Sequence, residues 1–166
     1  MSEQVIKPQP LSQQAFAEYG EVIETEGRDY NVINDGSARS YTDLATVDVL
    51  EGGGHTRVNI YESNPLPQPV QISMLERHPL GSQAFIPLSR DPFLVLVALE
   101  ATADSLQAFV TNGEQGVNFK PGTWHHPLLV LRPASRFLVI DRGGEGDNCD
   151  IQQLSQSAVL EYPDID

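Results

Sequence analysis

The stretch "VQISMLERHPLGSQAFIPL", residues 70–88, reads as two strands joined by a turn. Val70, Ile72 and Met74 alternate with Gln71, Ser73 and Leu75, the period of a half-buried strand. Pro79 and Gly81 mark the turn, and the apolar run "AFIPL" returns from it. Side chains two apart on a strand share a face, so Glu76 and His78 point one way and Arg77 the other. Gln83, at the start of the returning strand, comes back across toward His78. A carboxylate, an imidazole and an amide oxygen therefore fall within reach of one point.

Outward from this stretch the same period continues. Val58 and Ile60 alternate with Asn59 and Tyr61 as a half-buried strand, and further strands are expected at 84–88, 93–99, 106–111, 128–131 and 137–140. Periodicity cannot decide the continuous run "FLVLVAL", but its β-branched and aromatic content and the preceding Pro92 favour a strand. Clusters such as "RDP" and "TNGEQG" separate these segments, and short strands at such spacing predict a sandwich or barrel. One helix is expected early, with Ser12 as N-cap and Gly20 as the terminating residue of "QQAFAEYG". The acidic tail "LEYPDID" is expected to be solvated. No repeat, linker or composition break divides the chain, so residues 1–166 are read as one domain.

Charge narrows the partners. Ten Lys and Arg against 23 Asp and Glu leave a net charge of -13, which repels nucleic acid and anionic membrane alike. An anionic substrate would need a local cluster of arginine, lysine, metal or backbone N–H groups to overcome that field. Cys149 is the only cysteine, which excludes an intrachain disulfide and agrees with a reducing compartment. "MSEQVIKPQPLS" lacks the apolar core of a signal peptide, and the longest apolar run, residues 93–99, is far below the roughly 20 residues of a membrane helix. A cytoplasmic protein is expected.

A second informative stretch is "FKPGTWHHPLLVL", residues 119–131, where two of the four histidines, His125 and His126, are adjacent. On an extended segment they point to opposite faces, so one can join His78 inside a barrel while the other faces outward or supports the ligands from behind. Glu76, His78, Gln83 and one histidine of the doublet form a set suited to an octahedral divalent ion: nickel, manganese, iron or zinc. Gln83 would bind through a neutral carbonyl oxygen, which lowers the negative charge of the set.

These two stretches resemble the two cupin motifs. The first motif, His-x-His, three or four residues, Glu, is matched by Glu76, His78 and Gln83, with Glu76 in place of the first histidine and Gln83 in place of the glutamate. The second, Pro-x-Gly, two residues, His, is matched by Pro121, Gly122 and His125 with one residue fewer between Pro and Gly. By this resemblance His125 is the ligand. A closer resemblance covers nearly the whole chain: "PLSQQAFAEYGEVIE", "ERHPLGSQAFIPL", "TNGEQGVNF", "WHHPL" and "IDRGG" followed by "DNCD" are similar, in order, to the ureidoglycolate lyase family, also called ureidoglycolate hydrolase. The resemblance implies a mainly β, cupin-like double-stranded β-helix, or jelly-roll barrel, with a short N-terminal helix. It also implies a homodimeric carbon–nitrogen lyase that splits (S)-ureidoglycolate into glyoxylate and urea in allantoin and purine catabolism.

That reaction is an elimination from a carbinolamide and consumes no water. A base takes the hydroxyl proton, the C–N bond breaks as the carbonyl forms, and an acid protonates the departing nitrogen. A divalent metal, nickel among the candidates, is expected on Glu76, His78, Gln83 and His125. Arg142 and Arg57 are the candidates for holding the substrate carboxylate, through bidentate geometry, and His126 and Lys120 for moving the protons. The alternatives are a non-catalytic cupin that binds a small carboxylate, or an amidohydrolase that releases ammonia from the same compound.

Overall fold

The computed structural model describes residues 2–165. Its strands are β1 (Gln4–Ile6), β2 (Gln9–Pro10), β3 (Gly20–Ile23), β4 (Asn31–Ile33), β5 (Ala38–Ser40), β6 (His55–Ser63), β7 (Val70–Arg77) and β8 (Gln83–Pro87). There follow β9 (Phe93–Ala98), β10 (Leu106–Val110), β11 (Gly116–Phe119), β12 (Trp124–His125), β13 (Leu129–Val130), β14 (Ser135–Gly143) and β15 (Asp150–Leu160), and one α-helix, α1 (Gln13–Phe16), precedes β3. An eight-stranded sheet runs β1-β15-β7-β12-β9-β10-β2, with β13 also on β9, and a five-stranded sheet runs β3-β11-β8-β14-β6. From β7 onward the chain passes repeatedly from one sheet to the other. That alternation is the double-stranded, jelly-roll arrangement expected from the sequence.

The long run 93–98 lies near the centre of the larger sheet and is buried on both faces, which is why it shows no period. Phe93, Val95 and Val97 face the inter-sheet core with Phe16, Phe109 and Phe137. Leu94, Leu96 and Ala98 face a second core that the larger sheet curls around, with Ile72, Leu75, Ala158 and Leu160. Gln4 Nε2 closes the curl by donating to the Ala103 carbonyl at 3.1 Å.

Four expectations are corrected. The helix is a single turn: Ser12 Oγ does cap it, accepting from the Ala15 N–H at 3.2 Å, but it ends at Phe16, and Gly20 opens β3 instead of terminating a helix. Gly20 sits opposite Phe119, and a Cβ there would overlap the Asn118 carbonyl oxygen. Because the obstacle is backbone, no rotamer relieves it. Gly20→Ala is therefore expected to cost about 3 kcal/mol and to lower Tm by about 10 °C in a thermal melt.

The alternation in β6 is real, but Val58 and Ile60 point to solvent at 67% and 50% exposure, while Arg57, Asn59 and Tyr61 turn inward. The barrel interior at this edge strand is a polar cavity, so the polar face is the inner one. In β7 the alternation breaks: Ile72 and Leu75 share the second core, and β15 bulges opposite, shifting register between Gln153 and Ala158. That change of parity turns Glu76 away from the second core. Finally, the C-terminal segment is not simply solvated. β15 is the longest strand, Leu160 is buried, and Tyr162 packs against the second core.

Candidate metal centre and its cavity

The turn after β7 crosses between sheets, since β8 pairs with β11 and β14 rather than with β7. His125 pairs with both Glu76 of β7 and Val97 of β9, which puts its side chain on the inner face beside Glu76. Arg77 faces the other way, 2.8 Å from the Asp150 carboxylate and with its guanidinium 4.5 Å from the Trp124 ring centre. Glu76, His78 and His125 each bring a ligand atom within 4.8 Å of the others. Glu76 Oε1 lies 3.4 Å from His125 Nε2 and 3.9 Å from His78 Nε2.

Both imidazoles are held at their far nitrogen. His78 Nδ1 donates to the Asn148 carbonyl at 2.8 Å and His125 Nδ1 to the Thr123 carbonyl at 2.9 Å. A carbonyl only accepts, so each Nδ1 carries a proton, and a neutral ring then presents a lone pair at Nε2. Among the described residues neither Nε2 has a hydrogen-bond partner, and neither does the buried Oε1 of Gln83. His125 is fully buried, its ring stacked on Phe119 at 4.3 Å and 10°. Electron pairs from two rings and a carboxylate thus gather within 4.8 Å, with the Gln83 amide on the wall of the same cavity, an arrangement that favours positive charge among them. The His125 ring, against the opposing effect of burial, holds the Glu76 carboxyl below the usual carboxylate range. The set fits a divalent metal ion in donor type, in tautomer and in the lack of any competing partner.

Glu76, His78 and Gln83 open onto a cavity of about 520 Å³ walled by Tyr61, Phe85 and Leu128. His78, Gln83 and Tyr61 also line an adjoining space of about 310 Å³ that contains Arg57, Asp141, Arg142 and Cys149. Arg57 is committed to Asp141 through two contacts of 2.9 Å, with Asn59 adding a third donor to that carboxylate. Arg142 is buried and bound by backbone carbonyls, with Nη1 left unpartnered.

The two proton-transfer candidates lie apart. Lys120 Nζ donates to the Ala17 carbonyl at 2.8 Å and lines a separate cavity with Arg28 and Asp48, so its side chain is not brought to the triad. His126, which the sequence leaves open between an outward and a supporting position, borders a narrow gap among Phe85, Val117, Phe119 and Leu128 of the inter-sheet core. β12 ends at His125 and the chain bends at Pro127, so strand alternation no longer governs the next side chain. Burial pushes the His126 imidazole below its ordinary pKa, and its Nδ1 donates to the Pro127 carbonyl at 2.8 Å.

Residues that the sequence did not single out complete the surroundings. Asn148 holds His78 through its carbonyl and the turn through its side chain, which accepts from Leu80 N–H at 2.8 Å. Tyr61 packs edge-on against Phe85 at 6.0 Å. Asn148 lies in the "DNCD" segment of the family resemblance and Tyr61 on β6, but only proximity in the barrel reveals what each one touches.

Comparisons with known proteins place the chain among relatives by sequence. A family profile described as "Ureidoglycolate lyase" matches residues 3–161. A ureidoglycolate lyase of Pseudomonas paraeruginosa is 51% identical over 148 residues, spanning 87% of this chain and 88% of its own. One from Burkholderia mallei is 48% identical over 154 residues, spanning 92% and 91%. A solved 3,4-ketoisomerase from Helicobacter canadensis superposes over 76% of this chain and 85% of its own, at 11% identity and a TM-score of 0.44. By its sequence over nearly its full length, the chain belongs to the ureidoglycolate lyase family.

Proposed function

We propose that this chain cleaves (S)-ureidoglycolate to glyoxylate and urea, the carbon–nitrogen bond-breaking step of allantoin breakdown. One observation supports this reading beyond family membership. Ligand atoms of Glu76, His78 and His125 lie within 4.8 Å of one another, and Glu76, His78 and Gln83 line a cavity that adjoins a buried arginine, a site suited to a small oxygen-rich anion.

Glu76, His78, Gln83 and His125 would hold a divalent ion, which would supply Lewis acidity to the site when bound. Arg142 holds the carboxylate through Nη1. His126, kept neutral by burial, is the candidate proton carrier, and Tyr61 and Phe85 limit water around the reacting carbon. The hydroxyl proton leaves, the carbonyl forms, the C–N bond breaks and the urea nitrogen takes up a proton, so atoms and charge balance without water. We further read the enzyme as a cytoplasmic homodimer. The exposed apolar row of the edge strand β6, Val58 and Ile60, is a surface suited to a second copy.

Purified protein with fresh ureidoglycolate is expected to release one urea per glyoxylate, and preincubation with a strong chelator to suppress the reaction. Two ammonia per glyoxylate would identify an amidohydrolase, and binding without turnover a carboxylate-binding cupin. Unchanged turnover in protein shown to be metal-free would remove the metal and leave the lyase standing.

A further inference from the structure

In a chain of net charge -13, Arg142 is 4% exposed and, among the described residues, pairs with no carboxylate. Its neighbour in the barrel, Arg57, takes Asp141 with both arms. A buried guanidinium without a counter-ion is costly, and a position that keeps one needs an anion that arrives from outside.

The surroundings of Arg142 decide how that anion is met. Nε and Nη2 donate to the Glu51 carbonyl at 3.0 and 2.8 Å, and Nη2 donates to the Glu145 carbonyl at 2.9 Å. The edge that would grip a carboxylate with two parallel bonds is therefore occupied by backbone, and Nη1 alone is left. This differs from the bidentate grip expected from the sequence. Glycine makes the arrangement possible: a Cβ on Gly54 would overlap Arg142 Nε, and one on Gly81 would lie 2.7 Å from Arg142 Cβ. Gly52 and Gly144, with φ of +61° and +127°, bend the two loops that flank the carbonyls.

We infer that Arg142 is a preset anchor for a single carboxylate oxygen, and that Gly81 and Gly54 are the positioning residues that make room for it. The inference deepens the lyase reading and rests on it for the ligand class, a small 2-hydroxy or 2-oxo monocarboxylate. A ligand held by one oxygen keeps its second carboxylate oxygen and its 2-oxygen free to face the cluster of Glu76, His78 and His125. The anchor thus sets the orientation of the reacting carbon relative to the cluster as well as the charge of the site.

Calorimetric titration with glycolate, and with neutral glycolamide as control, tests this on the full chain with and without added nickel(II). Gly81→Ala is expected to weaken glycolate about tenfold or more, the scale of one charge-assisted hydrogen bond. Glycolamide and nickel affinities should stay at wild-type values. Arg142→Lys keeps the charge but not the directed Nη1, and is expected not to restore glycolate binding. Wild-type glycolate affinity in a folded Gly81→Ala protein, alongside weakened binding in Arg142→Met, overturns the glycine socket alone. Wild-type affinity in Arg142→Lys overturns the directed anchor, and this arm decides the matter if Gly81→Ala does not fold. Wild-type affinity in Arg142→Met overturns the carboxylate role of Arg142 itself, while urea release by that variant would still report the lyase reading separately.

Discussion

His125→Ala is expected to give a folded protein that neither retains a divalent metal nor releases glyoxylate above background. His125 is the buried member of the cluster: its Nδ1–H is bound by the Thr123 carbonyl, its ring is clamped on Phe119, and its Nε2 stands 3.4 Å from Glu76 Oε1. Removing it deletes one of the three ligand atoms that lie within 4.8 Å of one another. Loss of a supporting hydrogen bond to a ligand already costs about 10- to 100-fold in metal affinity, so loss of the ligand itself should exceed about 100-fold. The imidazole sits at the end of a two-residue strand rather than at the centre of either apolar core, so the fold should survive. Competition with a chromophoric chelator, circular dichroism and a urea assay on one preparation check all three statements. A folded His125→Ala protein with wild-type metal affinity would exclude the ligand role.

Arg142→Met is expected to lower kcat/KM by about 100-fold, mostly through KM. A charge-assisted hydrogen bond contributes about 1.5–3 kcal/mol, and about 2.7 kcal/mol corresponds to a factor of 100. The carboxylate keeps its charge while the neighbouring C–N bond breaks, so it is held alike in the ground and transition states, which is why the loss falls on KM. Stability should change far less. Replacing an uncompensated buried charge by an apolar side chain of similar length is favourable. Against this, the carbonyls of Glu51 and Glu145 lose their donor at about 1 kcal/mol each. The two effects oppose each other, so Tm is expected to stay within a few degrees of wild type while KM rises. A large fall in Tm with unchanged KM would assign Arg142 to folding and not to substrate.

The period of "VQIS", the apolar run 93–98 and the Gly and Pro punctuation were enough to expect a two-sheet β architecture, because strand formation depends on short-range alternation. The pairing of Glu76 with His78, and the selection of His125 over His126 by the cupin spacing, were legible for the same reason: both are local patterns along an extended chain. What failed was everything that depends on which side of a strand is wet. Val58 and Ile60 looked like core and are turned to solvent, because the interior beside β6 holds Arg57, Asn59 and Asp141. His126, whose side the sequence left open, lies among core aromatics, because the strand stops one residue earlier.

By itself, then, the sequence determined the β class, the family, and the residue types that gather at one cavity. Each of these follows from composition and spacing within a few residues, or from similarity over the whole chain. Only the tertiary structure decided the rest. It decided that Glu76 faces His125 after a change of parity in β7, and that both imidazoles turn an unpartnered Nε2 toward the same point. It decided that Lys120 is spent on the Ala17 carbonyl, 103 residues away in the chain, and that Arg142 keeps one free nitrogen inside a sleeve of glycines. The physical reason is common to all of them. Tautomer, hydrogen-bond commitment and the counter-ion of a buried charge are set by groups that are distant in sequence and adjacent only once the two sheets have closed.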